Sequence, residues 1–260
     1  MNIVVCIKQV PDTTEVRIDP VTKTLIREGV PSIINPDDKA GLESAIRLKE
    51  EIGAHVTAVS MGPPQAELAL REALAMGADE AILVTDRAFG GADTLATSKT
   101  LAAAISKLDY DLIITGRQAI DGDTAQVGPE MAEHLELPNI SYAEEIKIDG
   151  DYIIVKRQYE DRYQTLKAKL PVLITALAEL NEPRYMTPGG IFDAFREKKV
   201  IVWTVKDLDV DLNDIGLKGS PTKVKKSFTK GAKSAGKVFN LEPQESAELI
   251  LDKMKEKFII

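Results

Sequence analysis

Gly116-Arg117-Gln118-Ala119-Ile120-Asp121-Gly122-Asp123-Thr124-Ala125-Gln126-Val127 follows the apolar run Leu112-Ile113-Ile114-Thr115 and leads into an amphipathic stretch. A buried strand, a glycine turn and a helix, in that order, make the unit in which α/β proteins hold anionic ligands. Glycine lets the backbone turn sharply, and the helix that follows aims unpaired N–H groups and the positive end of its dipole back into the turn. Asp123 or Thr124 is placed to cap that helix, while Thr124 and Gln126 offer hydrogen bonds to a phosphate or a ribose. A plain capped turn has the same outline, so the surrounding chain must decide between them.

Outward from this stretch, the same alternation fills the first half of the chain. Ile3 to Ile7, Val56 to Met61, Ala81 to Val84 and Leu112 to Thr115 are short apolar runs of the kind buried on both faces of a parallel sheet. Between them, Leu42, Ala45, Ile46 and Ile52, then Ala66, Leu70, Ala73 and Leu74, then Leu95, Ala102 and Ile105 recur at helical spacing. The series predicts βαβ units, hence a twisted, mostly parallel sheet with helices on both faces and a ligand crevice beyond the strands' carboxyl ends. With 260 residues and 44 % hydrophobic content, the chain is long enough for one large core or two modest ones.

Four strand exits carry unusual residues: Cys6-Ile7-Lys8-Gln9-Val10-Pro11-Asp12, Met61-Gly62-Pro63-Pro64, Phe89-Gly90-Gly91-Ala92-Asp93-Thr94, and the Gly116 stretch. The Gly90-Gly91 pair permits close backbone approach, and Asp93 or Thr94 can cap the next helix with Thr97 one turn along. Lys8 reads as a solvated charge at a strand end. Asn35-Pro36-Asp37-Asp38 opens a helix, where Pro36 fixes φ and the two aspartates complement the dipole.

The net charge of −8 and a pI near 5.0 argue against nucleic acid as a partner. No apolar run approaches membrane-spanning length and the N-terminus lacks the features of a signal peptide, so no membrane association is expected and the address is cytoplasmic. Cys6 is the single cysteine and is expected to wall the crevice through its backbone rather than act as a redox thiol; His55 and His134 have no metal-site spacing.

Asn35-Pro36-Asp37-Asp38, Ala75-Met76-Gly77-Ala78-Asp79 and Gly116 to Asp121 together resemble the β subunit of electron transfer flavoprotein. The likeness runs on through Val155-Lys156-Arg157, Leu170 to Thr175 and Leu180-Asn181-Glu182-Pro183-Arg184-Tyr185, and covers nearly the whole chain. It implies a Rossmann-like fold of the adenine nucleotide α-hydrolase type, with flanking helices and a C-terminal arm, and a heterodimer with an FAD-carrying α subunit. In respiratory members the β subunit holds AMP as a structural ligand. In electron-bifurcating members a second FAD occupies that site, accepts hydride from NADH, and passes electrons to a high-potential acceptor and to ferredoxin or flavodoxin. Phe89 to Ser98 and Asp121 to Glu130 resemble the bifurcating form. The positions matching the family's nucleotide site are Cys6, Asn35, Asp38, Met61 and Gly116, Arg117, Gln118, Ala119, Asp121, Gly122, Asp123, Thr124, Ala125, Gln126 and Val127. Gly91, Asp93, Thr94 and Thr97 join them for the flavin type. Two carboxylates beside a pyrophosphate would repel it, so at least one of Asp121 and Asp123 should face away. An AMP-loaded carrier without bifurcation and a stand-alone nucleotide sensor are the rival readings.

Residues 140 to 176 alternate apolar and polar and predict antiparallel strands beside the sheet. Pro188-Gly189-Gly190-Ile191-Phe192-Asp193-Ala194 stands where respiratory members resemble one another in a lysine-rich segment that docks acyl-CoA dehydrogenases. The chain departs from that pattern and is similar here to subunits serving a flavin-dependent lactate dehydrogenase. A helix with Phe192 packed inward is the plain expectation for the segment. The organisation expected is an α/β nucleotide-binding domain over 1–200 and a C-terminal arm and helix over 201–260 that wrap the partner subunit. Lys218, Lys223, Lys225, Lys226, Lys230, Lys233 and Lys237 mark the arm, and Ala247, Ile250, Leu251, Met254 and Phe258 an amphipathic helix after Pro243.

Overall fold

The computed structural model describes residues 1–12, 31–223, 225 and 236–260. Within Met1–Lys223, which forms one compact unit, the apolar runs become strands as their sequence dictates. β1 (Asn2–Cys6) leads to the short β2 (Gln9–Pro11), paired antiparallel with β3 (Ser32–Ile34). Then follow α1 (Pro36–Ile52), β4 (His55–Met61), α2 (Glu67–Met76), β5 (Glu80–Val84), α3 (Thr94–Ile105), β6 (Leu112–Gly116) and α4 (Val127–His134). β7 (Asn139–Asp149), β8 (Tyr152–Tyr159) and β9 (Arg162–Lys169) form an antiparallel meander, after which come β10 (Val172–Ala176), α5 (Pro188–Arg196), β11 (Val200–Trp203) and the single turn α6 (Gly216–Gly219).

The fold is α/β. The nine-stranded sheet runs β11-β5-β4-β1-β6-β10-β7-β8-β9, parallel from β11 to β7. Alternate residues of each central strand enter different cores, as pleating requires. Ile3, Val5 and Ile114 pack with Leu42 and Ile46 of α1 and Leu70 of α2, whereas Val4 and Ile113 pack with Leu101 and Ile105 of α3 and Met131 of α4. The sheet is thus covered on both faces.

Two expectations change. The stretch 140–176 is antiparallel only as far as Lys169, because β10 inserts as a parallel strand between β6 and β7. Phe192 does not pack inward. α5 buries Ala194 against the core, and Arg71 of α2 donates a hydrogen bond to the Ala194 carbonyl, which turns Ile191, Phe192 and Phe195 outward at 39, 52 and 53 % exposure. The guanidinium groups of Arg196 and Arg71 lie over the Phe192 and Phe195 rings, each 5.4 Å from the centroid.

β11 pairs with β5 at the sheet edge, and Leu208, Ile215 and Ser220 are buried, so residues 201–223 belong to the sheet unit. The second unit, Val224–Ile260, contains α7 (Pro243–Glu256), which begins with Pro243 at its first position and exposes Ile250 and Leu251. Lys226, Lys230 and Lys233 of the expected arm lie outside the described residues. Among the described residues, no helix is long and apolar enough to cross a membrane.

Candidate functional site

After β1 the chain steps outward through β4 and β5, then returns to place β6 on the other side of β1. Connections on either side of such a reversal diverge and leave a crevice at the strands' carboxyl ends. Here it is a cleft of about 1090 Å³, lined from the ends of β1, β4, β5 and β6 and from the starts of α3 and α4.

Its base is organised by α1. Pro36 sets the first helical turn, but Asn35 makes no side-chain cap to that helix. Asn35 Nδ2 instead donates to the Gln118 carbonyl (2.8 Å) and to Asp38 Oδ1 (3.1 Å), and its Oδ1 accepts from the Ile120 N–H (3.0 Å). The Asp38 carboxylate also accepts from the Lys8 N–H (2.7 Å) and the Gly116 N–H (3.0 Å). This approach is possible because residue 116 is glycine: a Cβ there would lie 2.0 Å from Asp38 Oδ1. Burial pushes the Asp38 carboxyl up to about 7, against the lowering effect of these hydrogen bonds. Asp37 is also raised by burial, with Arg117 opposing the shift from 3.3 Å.

The expected cap at Asp123 or Thr124 is not formed. Asp123 and Ala125 adopt φ of 54° and 55°, which carries the chain away from helical geometry, and α4 starts only at Val127 with Gln126 at its N-cap. Asp123 accepts instead from the Gln118 side chain. Asp121 turns back to Lys8, whose Nζ donates to it at 2.6 Å, so Lys8 is a tie between the first strand exit and the loop rather than a merely solvated charge.

On the α3 side the sequence reading of Asp93 holds. Its side chain accepts from the Ala96 N–H (3.0 Å) as a helix cap, and its other oxygen accepts from the Thr222 N–H (2.9 Å). Desolvation opposes these bonds, yet they hold the Asp93 carboxyl below the usual range. The Asp93 N–H donates to Ser220 Oγ (2.8 Å), and the Leu217 N–H to the Gly90 carbonyl (2.9 Å). The Thr94 hydroxyl sits 3.0 Å from Gln126 Oε1 and 3.2 Å from Glu130 Oε1, linking the first turns of α3 and α4. Cys6 is buried, and desolvation, aided by the Asp38 charge, pushes its thiol up to about 12.

Of the positions singled out in the sequence, Cys6, Asp38, Met61, Gly91, Asp93, Thr94 and Thr97 line the cleft, as do Gly116 to Ala119, Gly122 and Thr124 to Val127. Asn35, Asp121 and Asp123 do not line it; their side chains make the bonds that hold the loop. The sequence reading missed Thr85, Asp86 and Arg87, which follow the apolar run ending at Val84, and Thr222, which arrives from far along the chain. The first three were findable, since they are the exit of a predicted strand.

Comparison with known proteins gives a consistent result. The model of the electron transfer flavoprotein domain matches residues 22–208. Across all of both chains, the sequence is 63 % identical to the electron transfer flavoprotein subunit beta of Clostridium acetobutylicum. It is 53 % identical to subunit CarD of the caffeyl-CoA reductase-Etf complex of Acetobacterium woodii and 46 % identical to the acryloyl-CoA reductase electron transfer subunit gamma of Anaerotignum propionicum, again over the full length of both chains.

Proposed function

The chain belongs to the electron transfer flavoprotein family, among its β subunits, and on that footing we propose that its cleft holds FAD rather than AMP and works with an FAD-bearing α subunit in NADH-linked electron bifurcation. The observation that carries this reading is the cleft itself. At about 1090 Å³ it reaches the top of the range for small-molecule sites, roughly 300–1,000 Å³, which is more space than a mononucleotide needs.

The residues fit a dinucleotide along the length of the cleft. The first turn of α4 offers backbone N–H groups and a helix dipole to phosphate oxygens, as does the start of α3 at Thr94. Cys6, Val59, Met61, Phe89, Leu101 and Met131 supply an apolar wall of the sort that shields a ring system from water. A flavin bound there supplies hydride acceptance and single-electron release, chemistry that belongs to the cofactor. The chain's part is to orient and desolvate. Asp121 paired with Lys8 and Asp123 held by Gln118 keep both carboxylates of the loop away from phosphate.

Two relatives are named for a caffeyl-CoA reductase and an acryloyl-CoA reductase, which favours an enzyme acting on acyl-CoA as this chain's high-potential partner; a lactate dehydrogenase type, suggested by the Pro188 to Ala194 segment, is the second candidate. Ferredoxin or flavodoxin is the low-potential one. In this reading residues 1–223 carry the nucleotide-binding fold and the stretch 224–260, which contains α7, supplies an arm for the α subunit. The test is to co-purify the heterodimer, denature it, and separate the released FAD and AMP. Two FAD per heterodimer and no AMP is expected. One FAD with one AMP overturns the bifurcating reading and leaves a one-flavin carrier.

A further inference from the structure

Asp38 is 7 % exposed and has no cation paired with it among the described residues. The nearby charges are engaged elsewhere. Lys8, just beyond β1, gives its ammonium to Asp121 (2.6 Å), and Arg117, just beyond β6, lies against Asp37 (3.3 Å). On β1 the Cys6 thiol stays neutral, on α1 Asp37 adds a like charge, and Glu179 lies near Asp37 in turn. Burying a carboxylate among neutral donors lowers stability relative to an uncharged side chain, so the arrangement calls for an explanation outside folding.

We propose that Asp38 is the positioning residue of the cleft: its ionised carboxylate, directly and through Asn35, fixes the β1 exit, the β6 exit and the 116–120 backbone in the arrangement that receives nucleotide phosphate. The assignment rests on the cleft's being a nucleotide site. Its geometric basis is one cluster of five hydrogen bonds. Asp38 accepts from Lys8, Gly116 and Asn35, while Asn35 holds the Gln118 carbonyl and the Ile120 N–H. A protonated carboxyl holds the three donors less firmly, because its hydroxyl oxygen is the weaker acceptor and its O–H must turn away from the donors around it. Gln118 and Ile120 are released with Asn35, and the loop loses its fixed relation to β1.

The sign of the pH effect distinguishes this role from a structural one. Folding raises the Asp38 pKa from its ordinary 3.8 to about 7, so the folded state holds the proton more tightly. Its contribution to stability therefore falls as pH rises from about 4 to about 7. Ligand affinity moves the other way, because the ionised form is the one that assembles the loop. A residue that merely supported the fold would make affinity follow stability.

The experiment uses the heterodimer with its α subunit, stripped of nucleotide and titrated with FAD, the α-subunit site serving as internal reference. FAD affinity at the second site should be about tenfold weaker at about pH 6 than at about pH 8, as one-proton linkage to a group titrating near 7 requires. Asp38→Asn should weaken that site and remove its pH dependence while leaving the reference site unchanged. A wild-type profile that is flat, or that strengthens as pH falls, overturns the positioning role with no variant needed. A second site that binds FAD equally well in wild type and Asp38→Asn overturns it while leaving the nucleotide-site reading intact. Failure of wild type to bind FAD or AMP at any second site overturns both.

Discussion

Gly116 has no side chain, and that is why α1 and β6 can meet. In Gly116→Ala the new methyl would fall 2.0 Å from Asp38 Oδ1 and 2.9 Å from the Asp38 nitrogen, so strand exit and helix start must separate. Overpacking of this kind costs about 1–3 kcal/mol, which for a domain of this size lowers Tm by roughly 2–4 °C per kcal/mol. The expected result is a lower Tm by scanning calorimetry together with nucleotide missing from the purified heterodimer; an unchanged Tm with full nucleotide content would refute the packing argument. Cys6 gives a chemical test. With its thiol pushed up to about 12, almost none is thiolate near neutral pH, so iodoacetamide should leave it unlabelled in the folded protein and label it fully on denaturation, read by mass spectrometry. At this scale Gly116 was legible in the sequence because a strand-ending glycine announces a turn. The role of Asn35 was not: its partners Gln118 and Ile120 lie 83 and 85 positions away, and a residue before proline reads locally as a cap.

The central strands were legible because strands buried on both faces must be uniformly apolar, and their ends fell within a residue of expectation. β10 shows where pattern stops helping. Val172 to Ala176 has the composition of a central strand, but nothing local says that it slips between β6 and β7 instead of continuing the meander before it. The start of α4 was misread for another reason: Asp123 and Thr124 are good capping residues, yet positive φ at Asp123 and Ala125 postpones the helix to Val127. Asp93 was read correctly, since its partner, the Ala96 N–H, is only three residues away. In Asp93→Ala the cap is lost along with the bond from Thr222, at a cost of about 0.5–2 kcal/mol for the cap alone. Ser220→Ala removes the acceptor of the Asp93 N–H and the donor to the Gly216 carbonyl, both bonds between neutral groups, and leaves the charged cap in place, so it should lower Tm less. Thermal unfolding of the two variants checks that order.

For the molecule as a whole, α5 presents Ile191, Phe192 and Phe195 on its outer surface, and such an apolar group on a folded unit points to association. Phe192→Ser should keep stability within about 0.5 kcal/mol of wild type, since the ring makes no core contact, and should weaken capture of the partner dehydrogenase. Equal capture by wild type and variant, measured by surface plasmon resonance with the intact heterodimer, would exclude α5 from that contact. The fastening of Asp93 has another consequence, one of timing. A ribosome delivers every strand of the sheet by Trp203, but Ser220 and Thr222, which tie down the start of α3, emerge only later, and Gly216 must pass within 2.0 Å (Cβ position) of the Ala88 carbonyl to bring them there. A nascent chain can therefore assemble its sheet well before the cleft is sealed. A chain that ended soon after Trp203 would hold every strand of the sheet yet lack the buried Leu208 and Ile215 and the two ties on the start of α3.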